Sequence, residues 1–322
     1  MRLLWLGLVI PILACSERRD VQLGPGQSPD AVSWVGCALA APAAPRCGAM
    51  GDRPDGGVVG DGPSRAVQVT DRVDLPTSAT LARDFGCDLD ESGTPDNQLA
   101  NVLAALKGWL DVRAPEDEAV RAGEILLVLS QGAGSLEATL AVPAGPAGPS
   151  ASWSGRELRA ACGSATLAAS SEEAGRFDGD RLTVPLALVP GQHATPLDLT
   201  HVRVTLDGRG GAKICGAIEL CQLVERFLPA LVTYLERRIA GGGEAARDDC
   251  LLFDVHARCA PNPDHCAAFG AGRGPPPGCL RAEDVLESPI TRAVLKPDVT
   301  LGGVPRMSVG LSVTLVEARQ QP

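Results

Sequence analysis

Aromatic side chains are scarce in this chain, with four Trp, one Tyr and five Phe in 322 positions. Proteins that bind sugars or single-stranded nucleic acid stack their ligands on aromatic platforms, so the shortage counts against both classes. Lysine is scarcer still, three residues against 26 arginines, a bias that reflects codon usage rather than function. The formal charge of -10 removes the electrostatic reason for binding nucleic acid. Beyond the first fifteen residues no apolar run approaches the roughly 20 residues of a membrane-spanning helix. The signatures of common enzymes are missing too: G-x-S-x-G, S-x-x-K, H-E-x-x-H and the phosphate loop G-x-x-x-x-G-K-[ST] do not occur. His193 and His201 flank a turn and the start of a strand, where solvated or capping roles suit them better than general-base chemistry. What is present is a 45% hydrophobic composition, too apolar for a disordered chain and ample for a core in one or two domains.

The N-terminus reads as an export signal. Arg2 supplies the positive charge, and Leu3 to Ala14 form an apolar stretch too short to span a bilayer. It ends in Ile12-Leu13-Ala14-Cys15, which resembles the bacterial lipobox. The resemblance implies cleavage after residue 14, acylation of Cys15 and anchoring by two or three acyl chains, each contributing about 0.8 kcal/mol per buried CH2. Ser16 after the Cys favours the outer membrane of the cell envelope. Residues 15–70 are Gly- and Pro-rich without helical or strand period and read as a tether. Residues 71–322 are expected to form one domain with a Cys- and Pro-rich insertion at 259–279.

Ten cysteines remain beyond Cys15: Cys37, Cys47, Cys87, Cys162, Cys215, Cys221, Cys250, Cys259, Cys266 and Cys279. An even number in an exported chain suits up to five disulfides. The pairs that close short or insertion-spanning loops are Cys37 with Cys47, Cys259 with Cys266, and Cys250 with Cys279. His256, Cys259, His265 and Cys266 also offer zinc-ligand types, but their spacing matches no standard zinc site, so disulfides are preferred.

Periodicity gives the elements. Leu99, Val102, Leu103, Leu106 and Leu110 form a helical stripe over residues 97–111, with Thr94-Pro95 as cap and first position. A longer stripe, Leu220, Val224, Phe227, Leu231, Leu235 and Ile239, predicts a helix over about 217–240, kinked or split at Pro229 and stopped by Gly241 to Gly243. Strands are expected at 124–130, along Leu136 to Val142, Leu182 to Leu188 and Val202 to Leu206, near 251–256, and along Val309 to Leu315. The expected fold is therefore α+β: an antiparallel, meander-like sheet packed with two amphipathic helices and stapled by disulfides.

One segment carries ligand chemistry. Asp88-Leu89-Asp90-Glu91-Ser92-Gly93-Thr94-Pro95-Asp96 has the alternation of a calcium loop. Side-chain oxygens of Asp88, Asp90, Ser92 and Asp96 and the carbonyl of Thr94 would converge as the chain wraps round Gly93. The twelfth position is Leu99 rather than a bidentate Glu, so a weak affinity of about 10^-4 to 10^-3 M is expected. The same residues also read as an acidic turn favoured before a helix N-terminus. The run Gly86-Cys87-Asp88-Leu89-Asp90 through Pro95-Asp96-Asn97-Gln98-Leu99 is similar to that of uncharacterised secreted lipoproteins of myxobacteria. Lys296-Pro297-Asp298 to Ser308-Val309-Gly310-Leu311 looks like the same group, whose members often carry a second Asp/Gly loop there. That loop keeps one carboxylate here, Asp298, and the group brings no activity to carry over. The expected function is a lipid-anchored envelope lipoprotein with a non-enzymatic binding or structural domain and calcium as its cofactor. Its partners would be the membrane and an envelope protein or amphiphile. A carrier of lipid and an envelope hydrolase are the alternatives.

Overall fold

The computed structural model describes residues 65–106, 113–145, 152–187, 189, 193–241 and 295–321, with isolated positions between 244 and 291. The chain runs β1 (Arg65–Asp74), α1 (Ala79–Phe85), α2 (Gln98–Leu106), α3 (Arg113–Ala122) and then six strands in succession. These are β2 (Leu127–Gln131), β3 (Ser135–Pro143), β4 (Glu157–Ala169), β5 (Arg176–Leu186), β6 (Thr195–Leu206) and β7 (Gly211–Ile218). One long helical segment follows, made of α4 (Leu220–Gln222), a π-helical turn (Leu223–Phe227) and α5 (Leu228–Ala240). A hairpin ends the chain, β8 (Val299–Leu301) with β9 (Val304–Gln321).

Strands β1 to β7 pair in sequence order, and β9 pairs antiparallel with both β7 and β1. The hydrogen-bonded circuit therefore closes, and the fold is an eight-stranded antiparallel β-barrel. This overturns the α+β expectation of an open sheet packed with helices. The physical reason lies in β9. At 18 residues it is long enough to pair with β7 along Met307 to Thr314 and with β1 along Ser312 to Gln320. Curvature comes from register shifts at Thr70/Arg72 in β1, Thr139 to Ala141 in β3 and Thr200/Arg203 in β6. The shifts along β3 and β6 exchange the buried and exposed faces. In β6, Leu197 and Leu199 are buried, then Val202 and Val204, with exposed His201 between them at φ 52°. In β3, Leu136 and Ala138 are buried but Ala141 takes over from the half-buried Leu140 and Val142.

The circuit is also crossed. The start of β4 pairs in parallel with the end of β9, Glu157 to Arg159 against Arg319 to Gln321. These two strands lie four places apart in an eight-strand ring, so opposite walls meet there. Correspondingly, β4 meets β5 only at Ala168–Asp178 and Ala169–Phe177. Where β5 leaves β4, and where β6 has not yet met β7, stand Pro185 and Pro196 directly opposite each other. Neither ring nitrogen can donate, so each proline sits on an edge that no neighbouring strand uses. The β6 edge is closed by helix side chains instead. The Gln222 amide accepts from Asp198 N at 2.9 Å and donates to Asp198 O at 3.0 Å, and Arg226 donates to Pro196 O at 2.8 Å.

The expected helices form with changed ends. Helix α2 buries Leu99, Val102 and Leu103 as the stripe requires. Its cap is Asn97 rather than Thr94, because Asn97 Oδ1 accepts from Ala100 N at 3.3 Å. The second helix starts at Leu220, since β7 extends to Ile218. Ahead of Pro229, which lacks the N–H of an α-helical turn, the backbone widens into the π turn, with Leu228 N bonded to Leu223 O. Strands β1, β4, β7 and β8 and helices α1 and α3 lie outside the expected set; β1 runs across the expected domain start at residue 71, and Arg113 to Pro115 start a helix where a helix stop is expected. The strand expected at 251–256 and the 259–279 insertion lie outside the described residues.

Helices α1 and α2 seat on the outside of β9. Gly310 makes this possible, for a Cβ there would stand 2.3 Å from Phe85 O and 2.9 Å from Asn97 Nδ2. Asn97 brackets the Gly310 backbone, donating to its carbonyl at 2.9 Å and accepting from its amide at 3.1 Å. Gly310→Ala is expected to lower unfolding free energy by about 1–3 kcal/mol, the usual cost of overpacking, as read from urea denaturation.

Candidate metal centre

The acidic loop lies against the outer face of β7 and β9. Cys87 and Cys215 form a disulfide across 128 residues of sequence. Lys213 Nζ donates to Gly86 O at 3.2 Å, and Arg203 to Asp88 O at 3.3 Å. Cys87 and Asp96 form an isolated antiparallel bridge that closes the loop at its neck. Leu89 packs on Ala217, Val299 and Leu301, which ties the loop to the β8–β9 hairpin.

Within the loop, carboxylate oxygens of Asp88, Asp90 and Asp96 lie within 4.8 Å of one another. Each carboxylate spends one oxygen on the backbone. Asp88 Oδ2 accepts from Gly93 N at 2.8 Å, Asp90 Oδ1 from Ser92 N at 3.0 Å, and Asp96 Oδ2 from Leu89 N at 2.8 Å. The loop is thereby held in shape, with Glu91 and Gly93 at φ 61° and 85°, while Asp88 keeps its second oxygen free of the backbone. That oxygen, Oδ1, is sealed from solvent and has no hydrogen-bond partner. A buried acceptor without a donor is a cost that a cation would remove. The Ser92 and Thr94 hydroxyls, 3.0 Å apart, bond to each other.

Burial raises the pKa of Asp96, and the charges of Asp90 and Asp298 add to it, against the pull of the Leu89 and Asp90 amides. Asp298, from the second Asp/Gly loop, thus stands close enough for its charge to act on the cluster. It is itself bound to β9 through the amide of Ser308 at 2.8 Å and through the Ser308 hydroxyl. Ser308 Oγ in turn accepts from Gln98 N, 2.7 Å away, at the start of α2. Leu99, the twelfth loop residue, is buried in the core and offers no oxygen.

The five expected ligand residues therefore share one loop, and three of them converge through side chains. Reasoning from local spacing missed Asn97, which anchors that loop on Gly310, and it missed Glu116. The latter was detectable, since Glu116 stands three and four residues before buried Ala119 and Val120, on the inward stripe of α3. Of the histidines, His201 is exposed at the β6 bulge, and His193 is exposed beside Glu124 at 3.1 Å. Asp198 is a buried charge hub of structural kind. Burial would raise its pKa, but hydrogen bonds from Thr183 and Arg181 and the charges of Arg226 and Arg181 hold it below the ordinary value. Cys221 and Cys250 are disulfide-bonded. Cys15, Cys37, Cys47, Cys259, Cys266, Cys279 and the Cys162 side chain lie outside the described residues, as does the zinc-type run 256–266.

Compared with known proteins, the chain matches no family model, no curated protein and no solved structure.

Because the Cys87–Cys215 link joins the loop to a central strand, replacing both cysteines by alanine is expected to cost about 2–4 kcal/mol in guanidinium unfolding. No loss of stability would mean that Asn97, Lys213 and Arg203 hold the loop without it.

Proposed function

We propose that the protein is an exported envelope lipoprotein whose barrel domain acts by binding or structural support, with calcium held at the Asp88–Asp96 loop. The observation that carries the metal reading is the preformed cluster in which Asp88 Oδ1 is buried without a partner. Asp88, Asp90 and Asp96 would supply carboxylate oxygens, and Ser92 and Thr94 would complete the shell with water. Bound calcium would neutralise three like charges held within 4.8 Å and so lock the loop between β7 and the β8–β9 hairpin. The missing bidentate Glu places its affinity in the weak extracellular range of about 10^-4 to 10^-3 M.

Export and anchoring rest on the sequence: the Ile12-Leu13-Ala14-Cys15 run and the even set of later cysteines. The Cys87–Cys215 disulfide is in keeping with an oxidising compartment. A barrel is compatible with carrying an amphiphile, and native mass spectrometry distinguishes the cases. A retained lipid-sized mass would replace the present reading by a carrier.

Two outcomes are expected. In calorimetric titration calcium binds with one-site stoichiometry and raises Tm, while Asp88→Asn together with Asp96→Asn abolishes both effects. Unchanged Tm up to 10 times about 10^-3 M calcium would refute the metal reading. In an exporting bacterial host, the wild type partitions into detergent and takes up labelled fatty acid, whereas Cys15→Ser does neither. Equal partitioning of the two would refute the anchor.

A further inference from the structure

A buried acid on α3 has no role in the reading above. Glu116 is 1% exposed, between buried Pro115 and the buried pair Ala119 and Val120. Its Oε2 accepts from the amide of Ala187, just beyond β5, at 2.6 Å. Its Oε1 is sealed from solvent with no hydrogen-bond partner. An ionised carboxylate in that position would lack both water and a counter-ion, whereas a neutral carboxyl is tolerated.

The charges around it give no relief. On its own helix Asp117 repels it, Arg121 is turned to Asp117 O at 3.0 Å, and Arg113 and Glu118 are exposed. On β1, against which α3 packs, Asp71 accepts from Ser152 and Trp153, and Arg72 pairs with Asp74 at 2.8 Å. On β5 the guanidinium of Arg181 is taken by Asp198. Glu124, beyond the helix, accepts from Ala194 N and meets His193, each at 3.1 Å.

The far end of α3 is held independently of this group. The Trp153 indole donates to Val120 O at 2.8 Å, and Glu124 grips the start of β6 through Ala194. The Glu116 contact thus falls in the first half of the helix, and these two contacts hold its far end.

We propose that Glu116 is a protonation-controlled latch, its neutral form docking the first half of α3 against β1 and the end of β5 and its ionised form releasing it. Burial pushes its pKa up to about 8 from an ordinary 4.5; the Ala187 amide opposes this and Asp117 adds to it. The sign follows. A released Glu116 ionises near 4.5 and a docked one near 8, so docking is strongest below 4.5 and weakens as pH rises through that interval. The opening constant grows about tenfold per pH unit between these limits and levels off above the upper one.

Hydrogen exchange on the whole oxidised protein tests this, with the Ala187 amide, which donates to the Glu116 carboxyl, read against the amides of α5 so that base catalysis of exchange cancels. The ratio of Ala187 to α5 rates should rise about tenfold per unit from pH 5 to 8 in the wild type and stay flat in Glu116→Gln. A flat ratio in the wild type, or an equal rise in the variant, would overturn the latch. Should Glu116→Gln fail to fold, the carboxyl signals of wild-type protein labelled with carbon-13 glutamate decide. One glutamate must titrate far above the others, and its absence overturns the proposal.

Discussion

The structure depends on the backbone ladder between its first and last strands. Arg65 to Asp74 pair with Ser312 to Gln320 across some 250 residues of intervening chain, and that pairing turns a meander into a barrel. Bringing such distant segments together costs about 5 kcal/mol of loop entropy, growing only as the logarithm of loop length. What offsets the cost is concentrated in β9. It pairs with β1, β4, β7 and β8, buries Met307, Val309, Leu311, Val313 and Leu315 on one face, and presents Ser308 and Gly310 on the other. Long-range pairings of this kind make for slow folding.

The acidic loop inherits its position from the same strand. On the outer face of β7 and β9 the register sets Lys213 beside Ser312, Cys215 beside Gly310, and Ala217 beside Ser308. Those rows receive, in order, the Gly86 carbonyl, the Cys87 sulfur with Asn97, and Leu89 with the start of α2. Three carboxylates can be kept together against their repulsion because each is fixed by a backbone N–H, and because the loop is bolted to a rigid wall on both sides. Polar groups elsewhere follow the same logic. Gln222 and Arg226 complete the β6 edge where strands part, and Asp198 is surrounded by Arg181, Thr183 and Arg226. Glu116, like Asp88, keeps a buried carboxylate oxygen with no hydrogen-bond partner.

Much of the element content was legible. Strand β2 announces itself as a short continuous apolar run, and β3, β5, β6, β9 and both amphipathic helices through aliphatic residues at periods of two or 3.6. Of the strands that escaped, β1 carries alternating valines but begins inside the Gly- and Pro-rich stretch read as a tether, whereas β4 and β7 carry little hydrophobic signal. β4 reads ELRAACGSATLAA and β7 reads GAKICGAI, both rich in Ala and Gly. In β7 a Cβ on Gly216 would stand 2.9 Å from Leu199 Cβ, so small size there is a packing requirement and not a sign of a loop. The bulges in β3 and β6 likewise hide a change of face that strict alternation does not anticipate.

The sequence by itself determined what is local: the strand and helix periods, the Asp88–Asp96 spacing, the breakers at Pro229 and Gly241, and the lipobox-like run before Cys15. These depend on neighbours within a few residues, where backbone geometry makes spacing equivalent to direction. Closure of the sheet, the pairing of Cys87 with Cys215, the approach of Asp298 to Asp96 and the burial of Glu116 were decided only by the tertiary structure. Each depends on which distant segment lies opposite, and register between remote strands is set by the packing of the whole barrel rather than by any one of its segments.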